Sequence, residues 1–84
     1  MLKNPVILPI FHNNEGSTQL LDLGINPNLE DCDVKNMRFY IINAIGEYTE
    51  DGKTYTSVVS GSEVFICYLS EDEVAAKISK SLNL

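Results

Sequence analysis

The sequence contains few basic residues, a single histidine, no tryptophan and no long apolar run. Six Lys and Arg stand against twelve Asp and Glu, which gives the 84 residues a net charge of −6. This balance disfavours general nucleic-acid binding, because such proteins neutralise phosphates with Lys and Arg. No apolar stretch approaches the roughly 18 residues of a membrane-spanning helix. The start lacks the apolar core and cleavage site of a signal peptide, so we expect a cytoplasmic protein with no membrane partner.

The histidine and the two cysteines are too few for a metal centre or a nucleophilic site. His12 lies in a polar stretch and is expected to be a solvated surface residue, since no further ligands stand at recognisable spacing. Cys32 and Cys67 form no C-x-x-C unit, and we expect reduced structural thiols, with a disulfide as the alternative. The sequence thus predicts no catalytic residue, no cofactor and no metal, and a protein that is not an enzyme.

The acidic stretch at residues 31–35 begins like a calcium-binding loop but departs from its pattern. Lys35 stands at the fifth position, Asn36 where the loop needs glycine, and Ile42 where it needs a bidentate glutamate. The chain also has no G-x-x-x-x-G-K unit that would hold a phosphate. We therefore expect these carboxylates to form a solvated surface.

The second half of the chain predicts three strands joined by tight turns. Residues 38–48 carry aromatic and β-branched side chains on both faces, which is typical of a central strand. The Asp51-Gly52 pair favours a hairpin turn before a half-exposed strand at 54–60. A second short turn leads to a strand at 63–69. Because short turns make neighbouring strands antiparallel, we predict a β-meander over residues 38–69.

A C-terminal helix is predicted over residues 70–82. Ser70 and Glu73 have the spacing of a capping box. Apolar side chains recur every four residues along one helical face, at Val74, Ile78 and Leu82. This stripe can pack on the sheet, so the predicted fold is α+β, a small antiparallel meander packed by one C-terminal helix. At this length we expect a single domain over residues 1–84.

Residues 1–37 are expected to form a less regular arm with loops. An apolar run at residues 6–11 contains Pro9, which cannot donate to a ladder, so it is predicted to be an edge strand or an extended arm. Residues 12–17 indicate a loop. Residues 18–25 fit either a strand or a short helical turn. The N-terminal run would thus add a fourth strand at an edge of the sheet.

Aromatic residues are concentrated on the predicted strands, at Phe39, Tyr40, Tyr48, Tyr55 and Tyr68. Single-strand binding proteins stack bases on sheet aromatics beside a basic groove. Near these strands the only basic residues are Lys35, Arg38 and Lys53. We therefore expect core and half-buried sheet aromatics, and nucleic acid is a disfavoured partner. A binder of single-stranded nucleic acid or of a small ligand is the alternative function.

Three stretches between residues 39 and 73 have a recognisable pattern: I-N-A-I-G, E-D-G-K-T-Y-T and S-G-S-E-V-F-I-C. They resemble short uncharacterised proteins of gut-dwelling anaerobic bacteria and their mobile elements. The resemblance covers about half of the chain, and it implies neither an activity nor a site residue.

Small size, an acidic surface and exposed strand edges favour a non-enzymatic protein-interaction or regulatory module. Its partner would be another protein or a second copy of the chain. Strand addition would be made through Ile7, Leu8 and Ile10. A surface contact would instead be made through Arg38, Tyr48, Lys53 and Tyr55.

Overall fold

The computed structural model describes residues 4–82, which form five strands, two α-helices and one short 3-10 helix. In chain order the elements are β1 (Val6–His12), α1 (Glu15–Asp22), the 3-10 helix (Leu29–Asp31), β2 (Asp33–Phe39), β3 (Ala44–Glu50), β4 (Lys53–Ser60), β5 (Glu63–Cys67) and α2 (Glu71–Leu82).

The five strands form one antiparallel sheet in the order β2-β1-β5-β4-β3. It consists of a ribbon, β1–β2, and a three-stranded meander, β3–β4–β5. Ribbon and meander share the single residue pair Ile10↔Cys67, beside which the N–H of Tyr68 donates to the C=O of Pro9 at 2.8 Å. The α+β class, the antiparallel sheet and the C-terminal helix are confirmed. The strand number is not, since the sheet has five strands where three or four were predicted.

The position predicted for the N-terminal strand is wrong, because β1 lies inside the sheet. It pairs with β2 over its whole length and touches β5 on its other side. The C=O of Pro9 points to β5, and in an antiparallel ladder the N–H of the same residue would point the same way. The N–H that Pro9 lacks would therefore point away from β2, and the β1–β2 ladder does not need it. Pairing with β5 ends at Pro9.

The single central strand predicted over residues 38–48 is also wrong. Phe39 ends β2, Ala44 begins β3, and these two strands lie at opposite edges of the sheet. The connection is fixed by Asn43, whose side-chain oxygen accepts from the N–H of Gly61 at 2.7 Å. Apolar side chains occur on both faces of the sequence run because it joins a buried strand end, an exposed connection and a second strand.

The hairpin between β3 and β4 forms as predicted. Glu50 pairs with Lys53, so Asp51 and Gly52 make a two-residue turn. Their φ angles are 51° and 77°. Both central residues of this kind of turn need positive φ, which Gly adopts freely and Asp tolerates better than most residues.

The segment expected to be irregular contains a helix with a well-formed N-terminus. Asn14 caps α1: its side-chain oxygen accepts from the N–H of Ser17, and the Ser17 hydroxyl accepts from the N–H of Asn14, both at 2.8 Å. Four residues predicted as loop, including Ser17 itself, thus belong to the cap and first turn. The undecided stretch at 18–25 continues as helix to Asp22.

The core lies between one face of the sheet and α2. It is built from buried side chains of the ribbon, the meander and the helix: Val6, Leu8, Ile10, Phe39, Val58, Cys67 and Val74. Phe39 of the ribbon meets Phe65 of the meander edge to face, with ring centroids 5.3 Å apart. Ile78 packs against this cluster as the predicted stripe requires, whereas Leu82 is exposed.

The capping box predicted for α2 is present. The Ser70 hydroxyl accepts from the N–H of Glu73 at 3.3 Å, and the carboxylate of Glu73 accepts from the N–H and the hydroxyl of Ser70 at 3.4 and 3.0 Å. Because a helix of this length is marginal in isolation, the cap and the packing of Val74 against the sheet stabilise it together.

We expect Ser70→Ala to lower the free energy of unfolding by about 1 kcal/mol, because it leaves first-turn N–H groups without a partner. Urea unfolding followed by circular dichroism measures this loss. Ser79→Ala is the matched control, since Ser79 lies exposed on the same helix and should show no comparable loss. Equal midpoints for the two variants would contradict the stabilising role of the cap.

Candidate interaction surface

The sheet has one face packed on α2 and one face directed away from it. Strand register and the alternation of side chains place seventeen positions on this second face, which we call the outer face. They are Ile7, Pro9, Phe11, Val34, Asn36, Arg38, Ala44, Gly46, Tyr48, Glu50, Lys53, Tyr55, Ser57, Val59, Val64, Ile66 and Tyr68.

Apolar side chains are exposed along the middle of the outer face. Val64 and Tyr68 of the β5 region are 65% and 57% exposed, with half-buried Ile66 between them. Val59 lies across from Val64 on β4. Ile7 and Val34 extend the exposed apolar surface onto the ribbon. These neighbouring exposed apolar side chains make the outer face the candidate interaction surface.

Three aromatic rings meet where the ribbon joins the meander. Phe11 packs edge to face on Tyr55 at 5.3 Å, and the ring of Tyr68 lies 6.0 Å from Phe11 and 6.1 Å from Tyr55. Only Tyr68 is largely exposed, because Tyr55 retains 9% of its accessible surface. The three rings therefore pack mainly on one another, and only one of them offers a face on which a ligand could stack.

One end of the outer face is covered by the chain itself. The carboxylate of Glu50 accepts from the N–H of Leu29 at 2.7 Å and from the hydroxyl of Tyr48 at 3.2 Å. Burial, followed by the charge of Glu50, raises the pKa of Tyr48, so its hydroxyl stays protonated and donates. Lys53 lies 3.9 Å from the exposed carboxylate of Glu30.

Tyr48, Lys53 and Tyr55 therefore do not form the exposed contact surface that the sequence predicted. Register brings Tyr48 and Tyr55 together as cross-strand partners, but Tyr55 is buried and its strand is not half exposed at this point. Lys53 lies at the hairpin beside the 3-10 helix, away from the exposed apolar residues.

The other predicted contact residues are divided between core and surface. Leu8 and Ile10 have no accessible surface, so their side chains are not available to a partner. Ile7 is exposed on the outer face, and Arg38 is its cross-strand partner on β2. Of the three residues predicted for strand addition, only Ile7 can be reached from solvent.

A polar cluster holds Cys32 at the end of the ribbon. Its Sγ lies 3.8 Å from the side-chain oxygen of Asn13 and 3.7 Å from the C=O of Asn28. The Ser17 hydroxyl donates to the same Asn13 oxygen at 3.2 Å. Burial raises the pKa of Cys32, and neighbouring carboxylates, among them Asp31, raise it further. A nucleophilic cysteine needs the opposite shift.

Both cysteines are free thiols. Cys67 is fully buried where ribbon and meander meet, and burial raises its pKa as well. Its role is that of a small apolar core residue. His12 pairs across strands with Asp33 and is half-buried, where a solvated residue was expected.

Within residues 4–82 no group of three His, Cys, Asp or Glu is placed to hold a metal ion. In the same part of the chain neither helix has the length and apolar character needed to cross a membrane. Comparison with known proteins finds no similarity: no family model, curated protein or solved structure matches the chain. The resemblance to proteins of gut anaerobes stays a prediction.

Sequence reasoning missed Val64 and Phe11 as surface residues. Residues 64, 66 and 68 alternate with 65, 67 and 69, and both sets are apolar. Two apolar sets show that a strand can be covered twice, but they do not show which face the helix covers. Only the register with β1 and the packing of α2 distinguish them.

We expect Cys32 to react slowly with iodoacetamide at neutral pH, because a raised pKa lowers the thiolate fraction below that of an unfolded chain. The folded Cys67→Ala variant isolates this thiol, and the same variant in guanidinium is the reference. The alkylation rate of the folded variant should reach that of the variant in guanidinium only at more alkaline pH. A folded-state rate above the reference at neutral pH would show an activated thiol.

Proposed function

We propose that the protein is a small, non-enzymatic interaction module of the cytoplasm whose outer face binds a second copy of the chain. The observation that carries the proposal is the run of exposed and half-buried apolar side chains along β5, from Val64 to Tyr68, on the face opposite α2. A partner that covers this run would remove apolar surface from water, which is the main favourable term in protein association.

The charge of the outer face favours a partner with a similar face. Within the strands, three residues of this face have acidic or basic side chains: Arg38, Glu50 and Lys53. Glu50 already accepts two internal hydrogen bonds, and Lys53 lies 3.9 Å from Glu30. The remaining strand carboxylates, such as Glu47 and Glu63, belong to other positions of the sheet. Two copies of charge −6 repel each other, so contact through the face with least negative charge costs least.

We expect the wild-type chain to form a dimer whose population rises with concentration up to the high micromolar range. Val64→Glu should raise its dissociation constant by roughly tenfold or more, because it places an unpaired carboxylate in the contact. Sedimentation equilibrium measures both constants. Leu23→Glu is the matched control, since Leu23 is exposed just after α1 and lies outside the outer face.

Circular dichroism and thermal unfolding of each variant separate a lost contact from a lost fold. A wild-type chain that stays monomeric throughout the concentration range would contradict pairing with a second copy. Equal weakening by Val64→Glu and Leu23→Glu would contradict the assignment of the contact to the outer face.

The alternative function, binding of single-stranded nucleic acid or a small ligand, is supported by the contact of Phe11, Tyr55 and Tyr68. It is less well supported than protein binding, because only one of these rings is largely exposed and the strands bring just two basic residues to this face, Arg38 and Lys53. Lys53 is already close to the carboxylate of Glu30. Stacking on several exposed rings and neutralisation of several phosphates are the usual sources of such affinity.

We therefore expect a fluorescein-labelled thymidine oligonucleotide to show no saturable binding at low salt in an anisotropy titration. Tyr68→Ala is the diagnostic variant, and Tyr40→Ala is its control, since Tyr40 is exposed in the β2–β3 connection. Saturable binding that Tyr68→Ala removes and Tyr40→Ala retains would favour the alternative over the protein-interaction proposal.

A further inference from the structure

A second surface lies where β1 and α2 run side by side. Among the described residues, the N-terminal half of β1 has β2 on one side but no strand on the other, because pairing with β5 ends at Ile10↔Cys67 and the Tyr68–Pro9 hydrogen bond. The C-terminal half of α2 lies near this side of β1, across a cleft. The hydroxyl of Ser81, which is buried, donates to the C=O of Asn4 and holds the helix end beside the start of the strand.

A cleft of about 230 Å³ separates the two elements. Its lining combines the apolar start of β1 with the polar end of the helix: Asn4, Pro5, Val6, Ile7, Lys77, Lys80 and Ser81. The cleft is open to solvent.

The backbone of β1 presents an unused hydrogen-bonding position in this cleft. The C=O of Pro9 points towards β5, and backbone groups two residues apart on a strand point the same way. The N–H and C=O of Ile7 therefore point away from β2 and into the space beside α2. Within residues 4–82 no strand is paired with Ile7 on that side. An extended peptide can add to such an edge through its main chain.

The charge around the cleft is opposite to that of the chain as a whole. Lys77 and Lys80 line it, and none of its lining residues is acidic. Arg38 is the cross-strand neighbour of Ile7 on β2, the strand on the other side of β1. The acidic residues of the same helix, at positions 71–73, are in its first turn, at the opposite end. An apolar cleft with this local charge favours a partner that carries a carboxylate.

We propose that the cleft between β1 and α2 binds an extended acidic peptide, which pairs with the backbone of Ile7 and places a carboxylate against Lys77 and Lys80. The site deepens the interaction function proposed above, on which it rests, by naming a kind of partner. It uses a strand edge and not the exposed residues of β5, so its test is independent of self-association.

The probe is a fluorescein-labelled peptide of sequence Val-Thr-Val-Glu-Val, titrated with the full chain carrying Val64→Glu so that self-association through the outer face is weakened. We expect saturable binding that falls by roughly tenfold in Lys77→Gln/Lys80→Gln, since each exposed ion pair contributes modestly. Lys35→Gln/Lys53→Gln is the matched control: it removes two charges elsewhere and should leave the affinity unchanged.

Two further peptides separate strand pairing from simple attraction of anions. A version with N-methylated valines lacks the backbone donors needed for pairing, and a version with lysine in place of glutamate lacks the carboxylate; both should bind at least threefold more weakly by the same pairing and charge arguments. Absence of saturable binding by the parent peptide would overturn the proposal. So would an equal loss in the two double variants, or no effect of N-methylation.

Discussion

The fold depends on a junction between a two-stranded ribbon and a three-stranded meander that is one residue pair wide. Ile10 of β1 and Cys67 of β5 form this pair, and both side chains are fully buried. A two-stranded ribbon is marginal by itself in water, so β1 and β2 gain their stability from what they pack on. Because so few hydrogen bonds join ribbon and meander, side-chain contacts provide this stabilisation. Phe39 packs on Phe65 on the core face, and Phe11 packs on Tyr55 on the outer face.

Contacts of this kind on both faces follow from the twist of the sheet. Strands that pair over a short length are free to cross at a larger angle than strands held by a long ladder. With a right-handed twist, one corner of the ribbon then approaches the meander on the core face, and the other corner approaches it on the outer face. The core face closes over Val74 of α2, while on the outer face the aromatic rings close one corner and the 3-10 helix covers the neighbouring end. Val64 lies outside both, and so stays exposed.

Local signals in the sequence were sufficient for the elements that local hydrogen bonds determine. Ser70 and Glu73 specify the start of α2, and Asp51-Gly52 specifies the hairpin between β3 and β4. Each of these patterns depends on hydrogen bonds or backbone angles of neighbouring residues alone. The elements defined by distant partners were not predictable in this way. Nothing local in residues 38–48 indicated that the run is divided into two strands. The connection between them is held by Asn43, whose side-chain oxygen accepts a hydrogen bond from Gly61, eighteen residues away.

The same distinction applies to the candidate surfaces. Pro9 led to the wrong prediction of an edge strand, because the residue alone could not show that its missing donor faces the side on which β1 meets β5 only briefly. The exposure of Val64 and the position of Lys77 beside Ile7 both result from the placement of α2 on the sheet. A stripe of apolar residues predicts that a helix packs; it does not predict which strand lies beside its end.

The polar groups of the interior are committed to holding the chain together. The three buried polar residues, Ser17, Thr56 and Ser81, each hydrogen bond within the chain, Thr56 by donating to the C=O of Leu69 at 2.8 Å. Among residues 4–82 no buried side-chain polar atom lacks a partner. What residues 4–82 leave for contact with other molecules is an apolar sheet face and a half-paired strand edge. The two proposed interactions differ accordingly, since the first depends on burial of side chains and the second on hydrogen bonds of the main chain.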